Sequence, residues 1–118
     1  MIAIVEDEAA VRLALTMLME TLGYQVVSGE GPDDVLAQLD GNCVPDVILA
    51  DYRLRGGLTG FQAISRIREQ LGRPLPAIMV TGDTSSAWQA EARQSRLPVL
   101  QKPVLARRLV AAIEQALA

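Results

Sequence analysis

Five positions in this 118-residue chain carry groups that could act together on a charged substrate. Glu6 and Asp7 follow the apolar run "IAIV" (2–5), and Asp51 follows "DVILA" (46–50). Thr81 stands near the end of "PAIMVTG" (76–82), and Lys102 follows "PVLQ" (98–101). Three carboxylates brought close together repel and raise one another's pKa. A divalent cation removes that conflict. Oxygen ligands with no His or Cys indicate a hard metal, Mg2+ before others, with waters and a backbone carbonyl filling the remaining positions. Such a cation favours an anionic partner, for instance a phosphoryl group. A carboxylate can accept that group as an aspartyl phosphate. An ammonium and a hydroxyl are suited to the charge on the equatorial oxygens of the transferring group.

Each feature alone has a plainer reading. An acidic pair after a strand often only starts a helix, a threonine before glycine makes a turn, and Lys-Pro makes a loop. Their joint occurrence after corresponding apolar runs is what gives them weight. Lys102 is also the only lysine among 11 basic residues, the other ten being arginine. A compact ammonium on a flexible stem suits a point contact with phosphate.

Composition removes other chemistries. There is no histidine, which excludes Ser–His–Asp triads, His-ligated metals and a phosphohistidine within this chain. The single cysteine, Cys43, allows no internal disulfide and suits a reducing cytosol. A net charge of −3, with the bases scattered, gives no argument for a nucleic-acid surface. The start "MIAIVEDEAA" lacks the pattern of a signal peptide. No segment reaches the ~20 apolar residues that span a bilayer, so a cytoplasmic domain without membrane contact is expected.

The elements that must position these residues alternate along the chain. Strands are expected at 2–5, 24–29, 46–50, 76–82 and 98–101. Helices are expected at 8–23, 32–40, 60–72, 86–95 and 105–118. Core-facing stripes read as Val11, Ala14, Leu15, Leu18 and Leu22 in the first helix. The third reads Phe61, Ile64, Ile67 and Leu71, and the last reads Leu105, Leu109, Ile113 and Leu117. Three strands are unbroken apolar runs, which means burial on both faces: an α/β domain with a parallel sheet and helices on each side. In open sheets of this kind ligands bind at the carboxyl ends of the strands, where strand order reverses. The five candidate residues all fall at that edge.

The motifs "VED" (Glu6, Asp7), "ILAD" (Asp51), "MVTG" (Thr81) and "QKP" (Lys102, Pro103), with the gaps between them, resemble the receiver domain of bacterial two-component response regulators. The resemblance covers residues 1–118. It implies a flavodoxin-like, doubly wound five-stranded sheet of order 2-1-3-4-5 with five helices. It implies that Asp51 accepts a phosphoryl group from a phosphohistidine on a histidine kinase or phosphotransfer domain. By the same resemblance Glu6, Asp7, Asp51 and the backbone carbonyl of Arg53 hold Mg2+, Thr81 and Lys102 contact the phosphoryl oxygens, and the Lys102–Pro103 peptide is cis. Strand 4, helix 4 and strand 5 form the switching face, and the last strand–helix unit, with Arg107 and Arg108, is the family's usual homodimer face.

The chain also departs from the family. Val99 stands where an aromatic residue is usual, which alters that readout. The stretch between Thr81 and Lys102 is short, its helix is polar, and the loop "YRLRGGLTG" is long. These features resemble receivers at the C-terminus of hybrid sensor kinases, while the length also suits a stand-alone regulator. Arg53 occupies the position where aspartyl-phosphate hydrolases need a second acid. A pairing of Arg53 with Asp83 across the water path implies a long-lived phosphoryl state. Leu13 and Met17, opposite the core stripe of helix 1, form an apolar patch suited to kinase docking. That patch equally suits the alternative, a degenerate receiver acting only as a docking module.

Overall fold

Strands β1 (Ile2–Val5), β3 (Val47–Asp51) and β4 (Ala77–Thr81) are the solid apolar runs, and they form the centre of the sheet. The shorter β2 (Val26–Gly29) and β5 (Val99–Gln101) flank them, giving five parallel strands in the order β2-β1-β3-β4-β5. The computed structural model describes residues 1–39, 43–82 and 88–118. Parallel strands require crossovers, and helices α1 (Ala9–Thr21), α2 (Pro32–Gln38), α3 (Gly60–Leu71), α4 (Gln89–Ser95) and α5 (Ala106–Leu117) alternate with the strands along the chain. The fold class and strand order are those expected. Among the described residues no helix is long and apolar enough to cross a membrane.

Burial on both faces follows from the side-chain period of two. Ile2, Ile4, Val47, Leu49, Ile78 and Val80 point to one side and pack with Met19 of α1 and Leu109 and Ile113 of α5. Ala3, Val5, Ile48, Ala50 and Met79 point to the other side and pack with Val35 of α2 and Phe61, Ile64 and Ile67 of α3. Burying an aliphatic side chain of this size stabilises by about 1.5–3 kcal/mol.

The expected stripe holds in α3 and only in part in α1 and α5. In α3 Phe61, Ile64 and Ile67 are buried as expected. In α1 the fully buried residue is Met19, one position past the expected Leu18, while Ala14 is exposed and Leu22 is 45% exposed. The helix stops at Thr21, and the chain turns at Gly23 (φ 95°), so Leu22 is already leaving the core face. In α5 Leu105 precedes the first helical residue and Leu117 is the last one, and both are exposed. Helix α2 ends at Gln38 instead of residue 40, and β2 begins at Val26 instead of Tyr24. Helix α4 begins at Gln89; the expected start at Ser86 lies outside the described residues. It buries none of its own residues, as its polar sequence implied.

Two local devices fix the carboxyl edge. The ladder pairs Val5 with Ala50, Asp51 with Val80, and Thr81 with Gln101. That register ends β1 beside Ala50, so Glu6 and Asp7 leave the sheet next to Asp51. Helix α3 is held close to the tip of β3 by Gly60, whose N–H donates to the carbonyl of Tyr52 at 2.8 Å. A Cβ at Gly60 would lie 2.5 Å from the Asp51 carbonyl oxygen and 2.5 Å from Met79 Sδ, so only glycine fits. A capping box closes the helix start: Gln62 N–H donates to Thr59 Oγ1 and Thr59 N–H donates to Gln62 Oε1.

Candidate functional site

β1 and β3 are the neighbours between which strand order reverses, and their carboxyl ends carry the acids. One carboxylate oxygen from each of Glu6, Asp7 and Asp51 lies within 4.8 Å of the others. Glu6 is buried, while Asp7 and Asp51 are half-buried. Lys102 reaches over them from the end of β5. Its Nζ donates to Glu6 Oε1 at 3.1 Å and stands 3.3 Å from Asp51 Oδ1. The backbone N–H of Lys102 donates to the Thr81 carbonyl at 2.8 Å, tying the last two strands together beside the cluster. The Lys102–Pro103 peptide is cis, as expected.

The electrostatics are those of a site short of positive charge. Burial, then the adjoining Asp51 carboxylate, raises the Glu6 pKa from 4.5 to about 7, with Lys102 working the other way. Burial works to lower the Lys102 pKa, but Glu6 and Asp51 together outweigh it and raise the value. Glu6 Oε2 is buried and receives no hydrogen bond. A buried carboxylate oxygen without a partner, beside two further acids, fits a site for a hard cation. The donor set is all oxygen, which fits Mg2+ in kind.

A cleft of about 410 Å³ opens on this cluster and is lined by Asp7, Glu8, Asp51, Arg53, Thr81, Gly82 and Lys102. Five of the six expected site residues line this cleft, and the sixth, Glu6, is buried beside it with a carboxylate oxygen close to those of Asp7 and Asp51. Arg53 follows Asp51 by two positions, with its guanidinium 5.7 Å from the centre of the Tyr52 ring. The expected partner of Arg53, Asp83, lies outside the described residues. Val99 is half-buried and lines a separate cleft with Trp88, Leu100 and Leu105. Leu13 and Met17 are exposed on α1, at 60% and 57%.

Sequence reasoning missed Arg12. Its Nη1 donates to the Glu6 carbonyl at 2.9 Å. The signal was a base one turn into a helix that starts just after the acidic pair.

Compared with known protein families, residues 2–114 match the response regulator receiver domain. The chain belongs to that family. PilH of Pseudomonas aeruginosa strain PAO1 is 34% identical over 121 residues, covering 99% of this chain and 97% of PilH. The phosphate regulon transcriptional regulatory protein PhoB of Escherichia coli K12 is 40% identical over 81 residues, or 68% of this chain. The match spans only 34% of PhoB, about a third of its length. Among solved structures, a CheY-like receiver domain protein from Methanospirillum hungatei JF-1 superposes with a TM-score of 0.83 at 26% identity, covering 98% of this chain and 91% of that one. The receiver domain of NtrX from Brucella abortus gives 0.83 at 25% identity, covering 99% and 98%. The present chain is thus a receiver domain of the two-component type, in sequence and in fold.

Proposed function

We propose that this receiver is a phosphoacceptor switch and that Asp51 is its acceptor. The observation that carries the reading is the convergence of three carboxylates under one ammonium, at the edge where strand order reverses. In the proposed reaction an Asp51 carboxylate oxygen attacks the phosphorus of a phosphohistidine on a histidine kinase or phosphotransfer domain. The new O–P bond forms as the P–N bond breaks. The electron pair leaves with the imidazole, which takes up a proton. Lys102 and Thr81 bind the phosphoryl oxygens. Glu6, Asp7, Asp51 and the backbone carbonyl of Arg53 are the groups that would hold Mg2+. When bound, that ion neutralises the acids and offsets the charge of the phosphoryl group.

Attachment to Asp51 gives Lys102 a new anion to follow. Its present bonds to Glu6 and Asp51 are the contacts that would change. Because Lys102 and Thr81 are joined through the backbone, the rearrangement is transmitted to the β4–α4–β5 face. The exposed Leu13 and Met17 of α1 suit kinase docking, the end of the chain with Arg107 and Arg108 suits a homodimer, and the setting is the cytoplasm. Residues 1–118 act as one such domain.

Incubation with Mg2+ and acetyl phosphate tests the reading. The wild-type protein gains one phosphoryl group by intact mass, and Asp51→Asn gains none. Equal labelling of the two proteins, or none in either, rejects it; the second result would leave a docking-only module.

A further inference from the structure

Arg12 stands outside the cleft, yet it is bonded to the peptide that joins two of the three acids. Its Nη1 donates to the Glu6 carbonyl oxygen at 2.9 Å. On the other side of the same residue, the Glu6 N–H donates to the Gly29 carbonyl at 3.0 Å. Glu6 is thus held on both sides, by β2 and by α1. The Glu6 carbonyl belongs to the Glu6–Asp7 peptide, so its direction sets where the chain enters Asp7. The helix start itself adds no side-chain cap at this junction. The α1 N-cap residue, Glu8, makes no side-chain cap bond, and the first turn of the helix carries no acid. Helix α1 carries Arg12 at a fixed height: the Arg12 N–H donates to the Glu8 carbonyl at 2.9 Å, and the Arg12 carbonyl accepts from Thr16 Oγ1 at 2.8 Å.

We infer that Arg12 is a positioning residue for the cation site: its guanidinium fixes the Glu6–Asp7 peptide so that both carboxylates converge with Asp51. This rests on the reading of the acidic cluster as a Mg2+ site. Partners that orient metal ligands from behind typically contribute about 10- to 100-fold in metal affinity. A second effect has the opposite sign. A guanidinium near the cluster repels a divalent cation, so removing its charge would by Coulomb's law alone tighten binding. The direction of the change therefore separates positioning from plain electrostatics.

The test is calorimetric titration of Mg2+ into folded wild-type protein, Arg12→Met, Arg12→Lys and Thr21→Val, well below their melting temperatures. Thr21→Val deletes a side-chain bond to the Met17 carbonyl at the far end of the same helix and controls for general weakening of α1. Arg12→Met is expected to bind about tenfold more weakly than wild type. Arg12→Lys, which keeps a donor and the charge, is expected to recover part of the loss, and Thr21→Val to match wild type. Unchanged or tighter binding in Arg12→Met, with wild type binding normally, overturns the inference alone. Equal weakening in Thr21→Val also overturns it. No Mg2+ binding by wild type overturns the metal-site reading and the inference with it. If Arg12→Met is unfolded by circular dichroism, the comparison of Arg12→Lys with wild type decides: weaker binding at conserved charge supports positioning, and unchanged or tighter binding opposes it.

Discussion

Substituting Glu6 by Gln should stabilise the metal-free protein at alkaline pH. Glu6 is 1% exposed, its Oε2 receives no hydrogen bond, and its pKa is raised from 4.5 to about 7. The cause is burial first, then the Asp51 carboxylate. An acid whose folded-state pKa lies above its unfolded value favours the fold when neutral. That contribution is complete below pH 4.5, fades as pH rises toward 7, and is gone above it. At about 1.4 kcal/mol per pH unit, the difference amounts to about 3 kcal/mol at pH 8. Gln stays neutral throughout and escapes the loss, and Lys102 keeps Asp51 as a partner at 3.3 Å. Urea unfolding in EDTA at pH 8 should therefore show Glu6→Gln more stable than wild type by about 1–3 kcal/mol, with the gain absent near pH 4.5. Saturating Mg2+ should narrow or invert the difference, because a ligand bound only by the folded state stabilises that state. A Glu6→Gln protein no more stable than wild type in EDTA at pH 8 would refute the claim that the acids are in conflict.

Other substitutions separate positioning from packing. Gly60→Ala must push a methyl group into the Asp51 carbonyl and Met79. It should cost about 2 kcal/mol or more in urea unfolding and also weaken Mg2+ binding by calorimetry. Ile113→Ala removes a fully buried side chain at the α5 face that is not among the residues lining the cleft. It should cost about 2–5 kcal/mol and leave Mg2+ affinity unchanged. Lys102→Ala should leave Mg2+ binding intact or tighter, since a cation leaves the cluster. It should slow phosphorylation by acetyl phosphate in a mass-spectrometric time course.

Much of this fold is legible in the sequence because the central strands are unambiguous. "IAIV", "DVILA" and "PAIMVTG" are dry on both faces, and only a covered parallel sheet accepts three of them. The site is legible for the same reason: chemistry placed after dry strands must lie on one edge. What the sequence hides lies where local pattern and tertiary packing part. Met19 and Leu18 are both apolar and both pack on the core, and the packing of α1 against the sheet buries Met19 the more fully. Leu105 and Leu117 keep the helical spacing but stand at the two ends of α5 and are exposed. Arg12 is hidden because its partner is a backbone carbonyl, which leaves no trace in composition. The same pattern matches nearly all of PilH and about a third of PhoB.

The most direct measurement on the central claim is chemical mapping of the phosphorylated residue. Protein treated with acetyl phosphate is reduced with borohydride, which converts an aspartyl phosphate to homoserine, and then digested and sequenced by mass spectrometry. The expected result is homoserine at position 51, formed with Mg2+ and lost with EDTA. Homoserine at another acid, or at position 51 to the same extent in EDTA, would contradict a cation-dependent acceptor built from Glu6, Asp7 and Asp51.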